Sequence, residues 1–159
     1  MSGETGHGGE TEPGWEDLLA AAQEGDTQAY RRLLLAILPF VRAVARRQYR
    51  VLREQGTERA GTSPLDREHR RGAFLCAGCD LPVFRSPDKF DSGTGWPSFV
   101  RPVPGAVGTR ADRSLVFVRT EVHCRRCGGH LGHVFDDGPA PTGQRWCING
   151  VALKFVPQA

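Results

Sequence analysis

The five cysteines of this 159-residue chain are unevenly distributed: Cys76-Ala77-Gly78-Cys79 and Cys124-Arg125-Arg126-Cys127 form matched pairs, and Cys147 stands alone. Two C-x-x-C pairs supply the four thiolates of a tetrahedral metal cage, because two intervening residues let both sulfurs of a pair turn towards one ion. The fifth thiol is left for other chemistry. It lies in Gly143-Gln144-Arg145-Trp146-Cys147-Ile148-Asn149-Gly150, where Trp146 to Phe155 reads as one strand. Alternate residues of a strand share a face, so Arg145, Cys147 and Asn149 would present a cation, a thiol and an amide together. A cation beside a thiol favours the thiolate, the reactive form. These polar neighbours favour a nucleophile over the plainer reading of Cys147 as a buried core cysteine.

Soft thiolates favour zinc in the cage, with iron second. The long segment between the pairs means that the metal would clip distant parts of the chain, a structural role. A closed four-cysteine site leaves no open position for substrate or water. Two independent redox dithiols are the competing reading of the pairs. Gly78 and Gly128 suit tight knuckles with backbone amides near sulfur.

Two further strings bear on chemistry. In Gly129-His130-Leu131-Gly132-His133-Val134-Phe135-Asp136-Asp137-Gly138, paired histidines followed by carboxylates could supply proton transfer and an orienting acid. A second metal site competes, but has no clear third ligand. In Lys89-Phe90-Asp91-Ser92-Gly93-Thr94-Gly95-Trp96-Pro97-Ser98-Phe99, the glycines allow sharp turns and Pro97 restricts Trp96. A rigidly held tryptophan makes an apolar wall for a small ligand, or else plugs the core.

The elements that must position these groups follow from pattern. Glycine and proline cluster in the second half, as a turn-rich β fold requires. Residues 1–14 read as a disordered polar tail without an apolar signal core. Trp15 to Arg47 is helical, with Gly25-Asp26 as break and N-cap, Pro39 as a kink or division, and Arg46-Arg47 as a solvated end. Gly61 to Gly72 is a polar linker. The net charge of +3 is spread along the chain, which argues against a nucleic-acid partner. No apolar run is long enough to span a bilayer, and a cytoplasmic setting follows as the expectation.

Two resemblances add to this reading. Ala20 to Tyr30, continuing through Leu-Leu and Pro39 to Arg46-Arg47, resembles the start of region 2 of extracytoplasmic-function sigma factors. The promoter-reading parts of those factors are absent, so the expectation is an amphipathic helical hairpin without transcription-initiation activity. Residues 49 to 157 resemble the B-type peptide-methionine (R)-S-oxide reductases. The likeness is carried by Tyr49 to Arg59, both cysteine pairs, Phe90 to Phe99, Arg119-Thr120-Glu121-Val122, His130 to Pro139, Gly143 to Asn149 and Leu153 to Pro157.

That resemblance implies a mainly β fold of two small antiparallel sheets, here with an N-terminal helical extension (residues 15–48) before the reductase domain (residues 49–159). It implies one structural zinc held by Cys76, Cys79, Cys124 and Cys127. Cys147 would attack the sulfoxide sulfur and become a sulfenic acid. His130 and His133 would protonate the oxygen, with Asp137 orienting them. Trp96 would pack on the substrate methyl, while Arg145 and Asn149 tune and position the nucleophile. Many members carry a resolving cysteine where this chain has Thr94, so an external thiol such as thioredoxin would recycle Cys147. Oxidised proteins are the expected substrates, and the chain is expected to act as a monomer. A zinc-ribbon binding module and a sigma-like redox or zinc sensor are the competing functions.

Overall fold

The computed structural model describes residues 13–114 and 116–158, so the tail expected over residues 1–14 falls almost wholly outside the described residues. The chain divides into two compact units between Val44 and Ala45. In the first, α1 (Trp15–Gln23) begins where Gly14 N–H donates to Asp17 Oδ2 at 3.1 Å. Gly25, at φ +97°, then turns the chain. Asp26 Oδ1 accepts the N–H groups of Gln28 and Ala29 at 2.8 and 3.0 Å, capping α2 (Thr27–Glu54) at the predicted Gly-Asp break. The edge of Trp15 meets Phe40 with ring centroids 5.1 Å apart, so α1 folds back on α2.

Two expectations for this helix need correcting. Pro39 lies inside α2 and does not divide it, and Arg46-Arg47 is not its end. Proline removes one N–H, but tertiary burial of a helical face outweighs one lost bond. That burial comes late in the helix, where Val51 and Leu52 join the hydrophobic core of the second unit. The helix stops after Glu54, as Gln55 takes a left-handed φ of +56° and Gly56 N–H reaches back to Arg50 O at 2.9 Å.

The second unit is mainly β, as expected. Strands β1 (Gly72–Cys76), β2 (Pro82–Arg85) and β9 (Leu153–Pro157) form an antiparallel sheet in the order β2-β1-β9. The second sheet comprises β3 (Lys89–Phe90), β4 (Ser98–Phe99), β5 (Val107–Asp112), β6 (Arg119–Cys124), β7 (His130–Phe135) and β8 (Arg145–Ile148). It is antiparallel throughout, in the order β3-β4-β8-β7-β6-β5. Alternating apolar residues of both sheets meet in one core. Phe84 stacks on Phe99 at 4.4 Å between centroids and Phe74 meets Phe99 edge-on at 5.0 Å.

Trp146 to Phe155 is not the single strand expected. β8 ends at Ile148, Asn149 opens a 3-10 turn over Gly150–Ala152, and the chain then enters the other sheet as β9. The cause is Glu58. Its carboxylate accepts the N–H groups of both Gly150 and Val151, replacing the strand partners those amides would otherwise need. Ser63 presses against the same turn, so that a Cβ on Gly150 would lie 1.9 Å from its Oγ.

Candidate active site and metal cage

One line of cross-strand neighbours builds the site. Ser98 on β4 lies opposite Cys147 on β8, and Cys147 opposite His133 on β7. His133 lies opposite Glu121 on β6, and Glu121 opposite Arg110 on β5. Directly opposed residues share a face with Cβ atoms about 5 Å apart. Thiol, imidazole and carboxylate are therefore neighbours although the chain separates them widely. The approach of β7 to β8 is close enough that a Cβ on Gly132, the glycine between the histidines, would fall 2.1 Å from Cys147 O.

Each histidine has its own carboxylate. His130 Nδ1 lies 2.8 Å from Glu121 Oε1 in a fully buried pair, and His130 Nε2 is buried without a hydrogen-bond partner among the described residues. Burial alone would push the Glu121 carboxyl up, but its bonds from Arg110 and His130 outweigh this and hold it below the ordinary range. His133 Nε2 lies 2.8 Å from Asp112 Oδ2. Burial pulls the His133 imidazole below its ordinary value despite that carboxylate, so it rests neutral at pH 7. Asp112 is held far below the usual carboxylate range by Ser114, with further bonds from His133 and Arg119.

Because carboxylates only accept, His130 Nδ1 and His133 Nε2 each carry a proton towards their carboxylate. His133 Nδ1 is left as an acceptor. The expectation that Asp137 orients the histidines is not met. Asp137 instead grips Arg145, whose Nε and Nη2 donate to it at 2.9 and 2.8 Å. The reason is strand geometry: Asp137 lies past the end of β7, whereas Glu121 and Asp112 face the histidines from inside the sheet.

The environment of Cys147 also differs from expectation. Burial pushes its thiol above the ordinary cysteine value, and this outweighs Thr94, Arg145 and Ser98, which all favour the thiolate. Arg145 is shared with Asp137 and lies over the Phe135 ring at 4.5 Å, so it does not act as a dedicated thiolate partner. Thr94 Oγ1 stands 3.9 Å from the sulfur. The resting group at pH 7.5 is thus a protonated thiol. Its alkylation by iodoacetamide should accelerate about tenfold per pH unit and show no plateau below pH 9, since only the thiolate reacts. A plateau near neutrality, followed by mass spectrometry of the Cys147 peptide, would contradict this.

Cys147 opens onto a pocket of about 110 Å³ shared with Trp96, His133, Phe135, Arg119, Thr57 and Asn149. The volume suits one amino-acid side chain and is well below that of drug-sized sites, at roughly 300–1,000 Å³. Trp96 is fixed as a wall by its Nε1–H donating to Glu58 O at 3.1 Å. Gly95, at φ +83°, sets the loop by accepting Gly61 N–H at 2.7 Å. Asn149 does not share a strand face with Cys147 as expected. It is buried at the start of the 3-10 turn, its Nδ2 donating to Leu131 O at 3.0 Å and its Oδ1 accepting Glu58 N–H at 2.9 Å. Glu121, Asp112, Arg119 and Thr57 had no assigned role from sequence. Glu121 is the single carboxylate of β6, and an acid inside a strand is the one signal that could have found it.

The two cysteine pairs converge. All four sulfurs lie within 4.8 Å of one another, with Cys76–Cys127 at 3.7 Å and Cys79–Cys124 at 3.5 Å. A tetrahedral ion with metal–sulfur bonds of about 2.3 Å needs sulfurs about 3.8 Å apart, so the cage fits a metal ion. The left-handed residue of the first knuckle is Asp80, at φ +59°, rather than Gly78, and that of the second is Gly128, at φ +68°. Arg53 Nη1 donates to Cys127 O at 2.8 Å and Arg126 Nη1 to Cys79 O at 3.0 Å, tying both knuckles down.

A lone thiol facing an imidazole across a β ladder, in a domain whose other four cysteines could hold a metal ion, is the arrangement of a thiol oxidoreductase. Residues 44–157 match the SelR domain model. The "Peptide methionine sulfoxide reductase MsrB" of Agrobacterium fabrum is 55% identical over 111 residues, covering 69% of this chain and 82% of that protein. The protein of the same name from Thiobacillus denitrificans is 55% identical over 112 residues, covering 70% of this chain and 85% of the relative. "Peptide methionine sulfoxide reductase B1, chloroplastic" of Arabidopsis thaliana is 52% identical over 109 residues, covering 68% of this chain and 54% of the relative. The chain belongs to this family, the B-type peptide methionine sulfoxide reductases. α1 and the first part of α2 precede the matched residues.

Proposed function

We propose that this chain reduces the R epimer of methionine sulfoxide in proteins, with Cys147 as nucleophile and residues 49–159 as the catalytic domain. The observation that carries the reading is the meeting of Cys147, His133 and Trp96 on one side-chain-sized pocket. The sulfoxide enters with its methyl against the Trp96 indole. Cys147 Sγ attacks the sulfoxide sulfur while its proton passes to His133 Nδ1, and Asp112 stabilises the imidazolium that forms. His133 returns the proton to the sulfoxide oxygen as the S–O bond breaks. The hydroxyl migrates to Cys147 Sγ, the transient S–S bond breaks with its electron pair returning to the substrate sulfur, and methionine leaves a sulfenic acid on Cys147. His130, with its ring centroid 5.3 Å from that of His133, supports the transfer and is itself held by Glu121. Asp137 fixes Arg145 beside the thiol, and Asn149 shapes the pocket floor.

Cys76, Cys79, Cys124 and Cys127 would hold one zinc ion, whose role is to staple the two knuckles. Soft sulfur ligands in a closed tetrahedron favour zinc. With those four cysteines engaged, none remains to resolve the sulfenic acid. An external thiol attacks Cys147–SOH, releasing water and forming a mixed disulfide, and a second thiol frees Cys147 as the reductant becomes a disulfide. Thioredoxin or a small thiol fits this demand.

A single turnover without reductant tests both halves of the cycle. Wild-type protein should yield one methionine per chain and a dimedone adduct on Cys147. Thr94→Cys places a thiol where the hydroxyl now stands 3.9 Å from Cys147 Sγ. It should give the same methionine yield, with loss of two protons and no adduct. An intramolecular disulfide in the wild type would contradict the one-cysteine cycle.

A further inference from the structure

The pocket holds one side chain, so the rest of a protein substrate must lie on the surface around its mouth. One part of that surface is unusual. The β5–β6 hairpin carries Val116, Phe117 and Val118 at its tip, exposed to 102, 69 and 65%. Val116 is thus fully exposed and Phe117 and Val118 are mostly exposed, while the core is filled by other apolar residues. Exposed clusters of this kind mark interaction sites more often than chance.

The hairpin root fixes this tip relative to the chemistry. Asp112 is the last residue of β5 and Arg119 the first of β6, and they face each other across the ladder. Their side chains pair at 2.8 Å, and the same Asp112 Oδ2 binds His133 Nε2. Ser114 N–H donates to Asp112 Oδ1 at 2.9 Å and turns the chain out of β5. Arg119 also lines the pocket beside Cys147. The apolar tip therefore projects from the pocket wall itself, one residue beyond the arginine that forms it.

We infer that Val116, Phe117 and Val118 are a docking lip for the apolar residues that flank an oxidised methionine in an unfolded or locally opened polypeptide. The inference rests on the reductase reading above and specifies its substrate: an extended segment with bulky apolar neighbours. The chemistry is complementary. Methionine is a core residue in most folds, so its sequence neighbours are often apolar and become exposed when oxidation to the polar sulfoxide disturbs packing. Trp96 and Phe135 are taken up by the pocket itself, whereas the tip offers such neighbours an apolar contact that costs little because it is already exposed.

The test uses the full chain and three probes: N-acetyl-methionine (R)-sulfoxide, a hexapeptide with leucine on both sides of the (R)-sulfoxide, and the same hexapeptide with serine flanks. The triple variant Val116→Ser, Phe117→Ser, Val118→Ser should raise KM for the leucine-flanked peptide about tenfold, with kcat nearly unchanged. It should leave the serine-flanked peptide and the N-acetyl substrate as in the wild type. Equal KM values for both peptides in the wild type, or an equal loss on all three probes in the variant, would overturn the proposal. So would a wild-type dimer in sedimentation that the variant dissociates, since a second copy would then be the occupant. Failure of the wild type on every probe would instead remove the reductase reading on which the lip depends.

Discussion

Cys147→Ser should lower turnover of methionine sulfoxide by at least about 10³-fold, more than ~4 kcal/mol of transition-state stabilisation, while the protein stays folded. The two side chains are close in size, and Cys147 is only partly buried at the pocket, so the swap is structurally mild. Chemically it is not. In the proposed cycle the sulfur would accept an oxygen atom from the substrate and become a sulfenic acid, a stable enough oxidation state for a thiol to reduce. A serine oxygen would have to become a hydroperoxide, with a weak O–O bond in place of S–O. Serine is also harder to deprotonate than the already reluctant Cys147 thiol. Steady-state assay beside a thermal melt separates the cases: activity lost with an unchanged melt is expected, and activity retained above a few per cent would assign the nucleophile elsewhere.

Cys124→Ser should be the most destabilising change of a single polar-sized side chain. Cys124 is fully buried at the end of β6, and its sulfur lies 3.5 Å from Cys79, whose knuckle follows β1 in the other sheet. An ion held by the four cysteines would therefore join the two sheets, adding to their shared hydrophobic core and to the Arg126–Cys79 bond. Structural zinc binding is worth roughly 10–16 kcal/mol in small peptide sites, comparable with the whole stability of a domain, about 5–15 kcal/mol. Serine removes one of the four sulfur ligands and leaves only three to hold an ion. The melting midpoint should fall by more than about 10 °C, and elemental analysis should find one zinc per chain in the wild type and well under one in the variant. An unchanged midpoint and metal content would sink the structural role of the cage.

The groups legible in the sequence are those whose meaning is local. The C-x-x-C pairs, the leftover Cys147, the rigid Trp96 loop and the two histidines are each recognisable within a few residues of chain. What escaped was decided across strands. Glu121 and Asp112 serve the histidines because β6 and β5 lie beyond β7 in register, and no spacing along the chain reports that pairing. Asp137, two residues past Phe135, is the nearer carboxylate in sequence and the wrong one in space. The break after Ile148 was hidden for the same reason: Glu58, 92 residues earlier than Gly150, supplies the carboxylate that ends the strand. The length of α2 was masked by Pro39 and Arg46-Arg47, whose local stop signals yield to the burial of Val51 and Leu52. Motif spacing singled out Cys147, but only the folded environment showed that burial outweighs Arg145 in setting its acidity.

The most direct measurement is thiol-driven turnover of the separated R and S epimers of a methionine sulfoxide substrate by zinc-loaded, folded protein. In the proposed mechanism the methyl packs on Trp96 while sulfur and oxygen face Cys147 and His133, which line the same pocket. Reduction of the R epimer with the S epimer untouched is the predicted result. Equal turnover of both epimers, or none of either, would contradict the account.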